Sequence, residues 1–272
     1  MKQINKNELE LIYQDSFGRF YKASSTLEKP LIFINGQLDP KIQYLLNCLG
    51  IKTLSKKFYY DETYHTPYLW VYDYDITNKN ITNMTFAYSI YKAMKEYGLK
   101  NVDILGFSNG GTIALYCSQF SNVSKVLAVH PSIQGSFLVY SKDLLDSLEN
   151  PSLFTQVLLN TLDKSLTKDF GYMQENGELL KDFIHLVDRE KIFITHGNIV
   201  DSQNKGIHFN FGKYLAMLGY EVYNVGSDGV VVIDENYLIK HKIPYLLDNN
   251  AAHFNINEKR IAEDYKLILG KK

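Results

Sequence analysis

Cysteine and long apolar runs are both scarce in this sequence, and their scarcity excludes several classes of protein. The 272 residues include 2 cysteines, Cys48 and Cys117, whose spacing suits neither a metal-binding motif nor a disulfide scaffold. The longest apolar runs, such as "PLIFI" and "KIFITH", are far too short to cross a bilayer. The amino-terminal segment is polar and lacks the apolar core of a secretion signal. We therefore expect a cytoplasmic protein without a membrane span.

The chain also lacks a charge surplus and a phosphate-binding loop. Lys and Arg number 29 against 30 Asp and Glu, whereas nucleic-acid binding usually requires a clustered basic surplus. Neither a G-x-x-x-x-G-K segment nor a G-x-G-x-x-G segment after a strand is present, so no nucleotide is indicated. Asp73 and Asp75 are interpreted as strand-end residues, and His196 and His208 lack the spacing of a zinc-binding helix pair. We predict no nucleic-acid partner, no metal and no other cofactor.

Alternation of apolar strands and helical patterns marks the first half of the chain. Hydrophobic residues make up 45% of the sequence, which allows a large core. An antiparallel hairpin with Gly18 near its turn is predicted at the start. Strands are then predicted within 31–40, 69–75, 102–107 and 125–131, and helices at 83–98 and 110–120. This order predicts an α/β fold, with a mostly parallel sheet and helices on both faces.

The stretch 137–190 breaks this rhythm because its pattern is helical throughout. Strands resume at 191–197, 220–225 and 243–248, with helices predicted at 210–219 and 257–269. We interpret 137–190 as a helical cap inserted into one core formed by 1–136 and 191–272. Apolar residues suited to binding acyl chains line the inner face predicted for this cap: Leu138, Leu144, Leu145, Phe154, Leu158 and Leu159.

Ser108 lies between two glycines where a predicted strand gives way to a predicted helix. The segment "GFSNG" (106–110) fits the G-x-S-x-G pattern, in which a tight turn holds a nucleophilic serine above the sheet. Substrates of open α/β folds bind at that carboxyl edge. The following helix offers N–H groups and a favourable dipole to a developing oxyanion. The pattern predicts that Ser108 is a nucleophile.

A serine nucleophile needs a histidine base and an orienting acid. In enzymes whose nucleophilic serine lies in a G-x-S-x-G turn, the chain order is serine, acid, histidine. His253 follows the last predicted strand and precedes the last helix, and we predict that it is the base. The other histidines fit less well by their place in the chain: His130 as a strand-end residue, His185 within the insertion, His196 and His208 too early, and His241 before the last strand.

Two aspartates are candidates for the acid. Asp201 follows the strand at 191–197, which suits a simple topology. Asp228 lies in a polar turn, "SDGVV", and is separated from His253 by one further strand. Chain order favours Asp228, and Asp201 remains the alternative.

The predicted oxyanion hole uses two backbone N–H groups. One belongs to Asn109, the residue after the nucleophile. The other is assigned to Gln37, which follows Asn35 and Gly36 in the loop after the first buried strand.

Four segments in order resemble the α/β-hydrolase superfamily, and in particular its lipase-like serine esterases. They are "FINGQ", "GFSNGG", "HPSIQGS" and the pair "SDGVV" and "AAHFNI", which together span about 31 to 256. The resemblance implies the α/β-hydrolase fold. It also implies that Asp228, in a "DG" followed by apolar residues, is the acid of the triad.

Together these features predict a serine hydrolase that cleaves a carboxylic ester through an acyl-enzyme intermediate. The expected partner is a small ester or acyl substrate with an apolar acyl part. The same triad can also act as a thioesterase or an acyltransferase. The fold can also serve a non-catalytic binding protein, so these alternatives remain open.

Overall fold

The structure, a computed structural model, describes residues 2–3, 9–23, 29–34, 36, 59–60, 66–72, 81–133, 183–198, 226–228, 231–249, 251 and 253. Its strands and helices are, in chain order, β1 (Lys2–Gln3), β2 (Leu9–Gln14), β3 (Gly18–Ala23), β4 (Pro30–Ile34), β5 (Tyr59–Tyr60), β6 (Thr66–Tyr72), α1 (Asn83–Glu96), β7 (Val102–Phe107), α2 (Asn109–Cys117), β8 (Val123–Val129), β9 (Ile192–Gly197), β10 (Gly226–Ser227), β11 (Val232–Ile233), α3 (Glu235–Lys240) and β12 (Tyr245–Asp248).

Eight of these strands form one sheet in the order β12-β9-β8-β7-β4-β6-β3-β2. Neighbouring strands from β12 to β6 are parallel, whereas β3 is antiparallel to both β6 and β2. The mostly parallel sheet and the antiparallel hairpin at its start are confirmed. Because parallel strands end at the same edge, the residues that follow β4, β7, β8, β9 and β12 lie along one rim.

Continuous apolar sequence produces the central strands. Every residue of β4 and of β7 is buried, as expected for strands covered on both faces. The helix α2 lies against β7 and β8 and is itself buried at every position. The carboxyl end of β7 and the amino end of α2 are therefore held in place by the packed core around them.

Helix α1 begins and ends with signals that are visible in the sequence. Thr82 and Thr85 form a capping box at its start, each side chain accepting a hydrogen bond from the other's backbone N–H. Phe86, Ile90 and Met94 share its buried face at helical spacing. Gly98, at φ +61°, then ends the helix in the left-handed conformation that glycine adopts without strain.

Several short elements were missed by the sequence prediction, among them α3, β10 and β11. The helix α3 has 6 residues, too few for a periodic pattern. Asp234 nevertheless caps it by accepting the N–H of Asn236 at 2.9 Å, which is a readable start signal. The strands β10 and β11 form an antiparallel hairpin of 2 residues each, which is below the length at which alternation can be recognised.

Several predicted elements lie outside the described residues: the cap up to residue 182, the helices at 210–219 and 257–269, and the strand at 220–225. The cap stays a prediction. Its last residues, 183–190, are described, and Phe183 and Val187 belong to the hydrophobic core. Within the part of the chain that the structure describes, no helix has the length and apolarity needed to span a membrane. The cytoplasmic location stays a prediction.

A buried carboxylate lies on the central strand β7. Asp103 is fully buried, and its Oδ2 is 2.6 Å from Nζ of Lys29, just before β4. Removing one partner of such a pair leaves an uncompensated buried charge, whereas replacing both can be neutral.

We predict that Lys29→Met lowers the free energy of unfolding by about 3 kcal/mol, because the buried carboxylate of Asp103 loses its ion pair with Lys29. The double variant Lys29→Met/Asp103→Leu should recover most of that loss. Urea unfolding measures both values. A double variant no more stable than Lys29→Met would contradict the ion-pair explanation.

Candidate active site

The rim formed by the carboxyl ends of the parallel strands carries the predicted site. Ser108 follows β7 directly, His130 follows β8, and His196 lies near the end of β9. His253 lies five residues after the end of β12. Because these strands are neighbours in the sheet, their ends bring polar side chains that are far apart in the chain into one cluster.

Ser108 occupies a strained turn between β7 and α2. Its backbone has φ 55° and ψ −129°, a conformation that residues with a Cβ rarely adopt. Gly106 makes the turn possible, since a Cβ there would lie only 2.7 Å from Cβ of Ala114 and would meet the carbonyl of Gly110. The turn is anchored by the N–H of Ser108, which donates to the carbonyl of Val129 at 2.9 Å. This is the geometry that the G-x-S-x-G pattern predicts.

Ser108, His253 and Asp228 form a continuous hydrogen-bonded chain. Nε2 of His253 is 3.0 Å from Oγ of Ser108, and Nδ1 of the same ring is 2.7 Å from Oδ2 of Asp228. Asp228 is fully buried, His253 is 2% exposed, and Ser108 is partly exposed. The hydroxyl is therefore the member of the chain that solvent reaches most easily. The structure brings these predicted residues together, and their catalytic roles stay a prediction.

The hairpin of β10 and β11 fixes the backbone of Asp228. Oδ1 of Asp228 accepts the N–H of Val231 at 2.9 Å, which closes the turn through the side chain. The carbonyl of Asp228 accepts the N–H of His253 at 2.9 Å. Asp228 and His253 are therefore joined through both backbone and side chain.

The charge of Asp228 determines the tautomers around it. Burial alone would raise the pKa of Asp228, but the charge interaction with His253 and the hydrogen bonds from His130 and His253 hold it well below its usual range. An ionised carboxylate only accepts hydrogen bonds, so Nδ1 of His253 carries a proton. In the neutral ring Nε2 is then the acceptor and faces the hydroxyl of Ser108, which is the arrangement that a general base requires.

Two further histidines lie in the same cluster. Nδ1 of His130 is 2.6 Å from Oδ2 of Asp228, the oxygen that His253 also contacts. The rings of His130 and His196 are stacked at 5.2 Å. Nδ1 of His196 lies 2.6 Å from the carbonyl of Gly197, and its Nε2 has no hydrogen-bond partner among the described residues. Burial lowers the pKa of His196 to about 4, so its ring is neutral at pH 7.

His130, Asp228 and His253 are also the types of residue that bind metals, with ligand atoms within 4.8 Å of one another. The distances from Oδ2 to the two Nδ1 atoms are 2.6 Å and 2.7 Å. Adjacent ligands of a tetrahedral zinc ion lie roughly 3.4 Å apart, given metal–nitrogen bonds near 2.1 Å. The cluster therefore has the spacing of hydrogen bonds rather than that of a metal site.

Asn109 begins α2 and is held by a pair of amide hydrogen bonds. Its side chain donates to Asn83 at 2.8 Å and accepts from Asn83 at 2.9 Å, and both residues are buried. Ser132 also donates to it at 3.3 Å. These contacts fix the first turn of α2, where the helix dipole is positive and the N–H groups point beyond the helix end.

Gly36, two residues after the end of β4, also reaches the site. A Cβ on Gly36 would lie 3.0 Å from Cβ of Ser108, so Gly36 is packed against the turn. Gln37, the second predicted oxyanion donor, and Asp201, the alternative acid, lie outside the described residues.

Sequence reasoning missed the contact of His130 with Asp228 and that of Asn83 with Asn109. The sequence predicts that His130 is a strand-end residue, and it does follow β8 directly. A polar residue immediately after a buried parallel strand is a usable signal, because such ends share one rim. No comparable signal marks Asn83, since its partner lies 26 residues away on another helix.

Comparisons with known proteins identify the fold. No protein-family model matches the chain, and no curated sequence matches it. Solved structures do match along nearly the whole chain. A mature lipase from Bacillus licheniformis is 18% identical, with a TM-score of 0.51 over 90% of this chain and 93% of the lipase.

Two other solved structures are similar. The naproxen esterase of Bacillus subtilis, a carboxylesterase, is 12% identical, with a TM-score of 0.51 over 97% of this chain and 92% of the esterase. An esterase from Pyrococcus furiosus is 12% identical, with a TM-score of 0.53 over 99% of this chain and 91% of the esterase. The chain has the α/β-hydrolase fold, which confirms the fold implied by the resemblance.

The buried amide pair gives a prediction about stability. Asn83→Ala removes two hydrogen bonds from the buried side chain of Asn109, and we expect the free energy of unfolding to fall by about 2 kcal/mol. Asn236→Ala, at an exposed position of α3, is the matched control and should change it by less than about 0.5 kcal/mol. Urea unfolding compares the two. Equal effects would show that the amide pair is not stabilising.

The low pKa of His196 predicts a pH-dependent stability. The unfolded chain binds a proton to this ring below about pH 6.5, whereas the folded protein binds it only near pH 4. Its contribution is therefore complete above about pH 6.5 and is lost as the pH falls towards 4.

We expect His196→Asn to remove about 2–3 kcal/mol of the decrease in unfolding free energy between pH 7.5 and pH 4.5. Urea unfolding at both pH values measures it, with His185→Asn, on an exposed residue, as the control. An unchanged pH dependence in His196→Asn would refute the assignment.

Proposed function

We propose that this protein is a serine hydrolase that cleaves a carboxylic ester, with Ser108 as nucleophile, His253 as general base and Asp228 as the orienting acid. The hydrogen-bonded chain from Oγ of Ser108 through both nitrogens of His253 to Oδ2 of Asp228, with distances of 3.0 Å and 2.7 Å, carries this proposal. The hydrogen-bond partners along this chain are the ones that these three roles require.

The reaction begins when Oγ of Ser108 attacks the ester carbonyl. Nε2 of His253 takes the hydroxyl proton, and the resulting imidazolium is stabilised by Asp228 on its other nitrogen. The alcohol leaves with that proton and an acyl-enzyme remains on Ser108. Water then attacks the acyl group, again with His253 as the base, and the acid is released.

The negative charge on the carbonyl oxygen develops at the amino end of α2. We assign the N–H of Asn109 as one donor and that of Gln37 as the second. Each such donor typically contributes about 3 kcal/mol to the transition state. The amide pair with Asn83, which fixes the start of α2, supports the first assignment. The packing of Gly36 against Ser108 brings the chain just before Gln37 to the same turn and supports the second.

The proposed substrate is a small carboxylic ester, with an apolar acyl part accommodated by the predicted cap. Ester hydrolysis also agrees with the names of the lipase and the two esterases that share the fold.

The test is hydrolysis of an activated ester such as p-nitrophenyl butyrate by purified variants. We expect kcat/KM to fall by about 10⁴-fold or more in Ser108→Ala and in Asp228→Asn, because the nucleophile or the tautomer of its base is lost. Asp201→Asn examines the alternative acid and should retain near wild-type activity. Activity that survives Ser108→Ala would refute the proposal, and a loss confined to Asp201→Asn would reassign the acid.

A further inference from the structure

His130 is one of two buried histidines among the described residues, with His196, that the proposed reaction does not use. It is 3% exposed and directly follows β8. Its backbone has φ 49°, which is unfavourable for a residue with a Cβ. Its N–H donates to the carbonyl of Thr195 on β9 at 2.7 Å. The fold thus holds the backbone of His130 in a strained conformation, and such strain is often found at functional sites.

The rings of His130 and His253 share one oxygen of the Asp228 carboxylate. Both Nδ1 atoms lie within 2.7 Å of Oδ2 of Asp228, and Oδ1 is bonded to the N–H of Val231. Since the carboxylate is ionised and can only accept, Nδ1 of His130 must also carry a proton. Asp228 therefore receives a hydrogen bond from each histidine through the same oxygen.

Sharing that oxygen affects how readily His253 binds a proton. A carboxylate oxygen that accepts a second N–H has part of its charge neutralised, so it stabilises an imidazolium on His253 less strongly. The titratable groups that the structure places around His253 are Asp228, His130 and, stacked on His130, His196. Asp228 is the single anion in this set, so one buried negative charge supports at most one imidazolium.

We propose that His130 is a positioning residue for this reaction. It holds the carboxylate of Asp228 in place and, by occupying the same oxygen as His253, keeps His253 available as a base at lower pH. The inference rests on the proposed function, since the base matters only if Ser108 is the nucleophile.

Two variants of similar shape distinguish the effect of the hydrogen bond that His130 donates from the effect of its packing. His130→Asn keeps an N–H near the position of Nδ1, and asparagine tolerates the positive φ. His130→Leu has the same branching without a donor. His185→Leu, on an exposed residue outside the cluster, is the control. The pH profile of kcat/KM is measured with p-nitrophenyl butyrate at the isosbestic wavelength of p-nitrophenol, after circular dichroism has shown that each variant is folded.

We expect the midpoint of the acidic limb to move up by about one pH unit in His130→Leu, a change of the size that one charge-assisted hydrogen bond produces. In His130→Asn and in His185→Leu the midpoint should stay near that of the wild type. The plateau of kcat in His130→Leu should fall severalfold while KM is unchanged. An unmoved midpoint in folded His130→Leu, or an equal shift in His130→Asn, would overturn the inference.

A second measurement tests the same inference without an activity assay and without the variant His130→Leu, which could fail to fold. Imidazole ¹⁵N spectra of the labelled wild type and of His130→Asn report the tautomer of each histidine and the pH at which it binds a proton. We expect the wild type to show a protonated Nδ1 on both His130 and His253 at neutral pH. An Nε2-protonated His130 would overturn the inference. A wild type that fails to hydrolyse the ester, with these tautomers present, would count against the proposed function instead.

Discussion

The two hydrogen bonds that converge on Oδ2 of Asp228 hold the candidate site together. A buried carboxylate is costly unless it is bonded on all sides, and here its partners come from three separate parts of the fold. His130 follows β8, His253 lies beyond β12, and Val231 closes the hairpin that carries the acid. Because the charge must be satisfied, these parts are fixed relative to one another. That fixed carboxylate in turn sets the tautomer of His253.

Two residues on the rim of the sheet have strained backbone conformations. Ser108 and His130 both have positive φ values, and each directly follows a buried parallel strand. Their backbones are held by hydrogen bonds to the next strand, from Ser108 to Val129 and from His130 to Thr195. Such conformations persist only where the surroundings over-determine them. The core of β7, β8 and α2 provides that support, so the rigidity of the sheet is transmitted directly to the side chains at its edge.

Much of this arrangement could be predicted from the sequence because its signals are local. The apolar runs of β4 and β7, the helical spacing and terminal glycine of α1 and the glycines around Ser108 each act within a few residues. Chain order was enough to favour His253 and Asp228. The contact of His130 with Asp228 could not be predicted, because it joins residues 98 positions apart and depends on how the strands are ordered in the sheet. The hairpin around Asp228 was missed for a different reason, since strands of 2 residues leave no periodic pattern.

The proposed reaction requires that Ser108 is an activated nucleophile. The most direct measurement is labelling with a fluorophosphonate probe, which reacts covalently with activated serines, followed by mass spectrometry of the peptides. We expect one modified residue, Ser108, with rapid labelling of the wild type and no labelling of Ser108→Ala. A wild-type protein that stays unlabelled under conditions in which control esterases react, or a label on another serine, would contradict it.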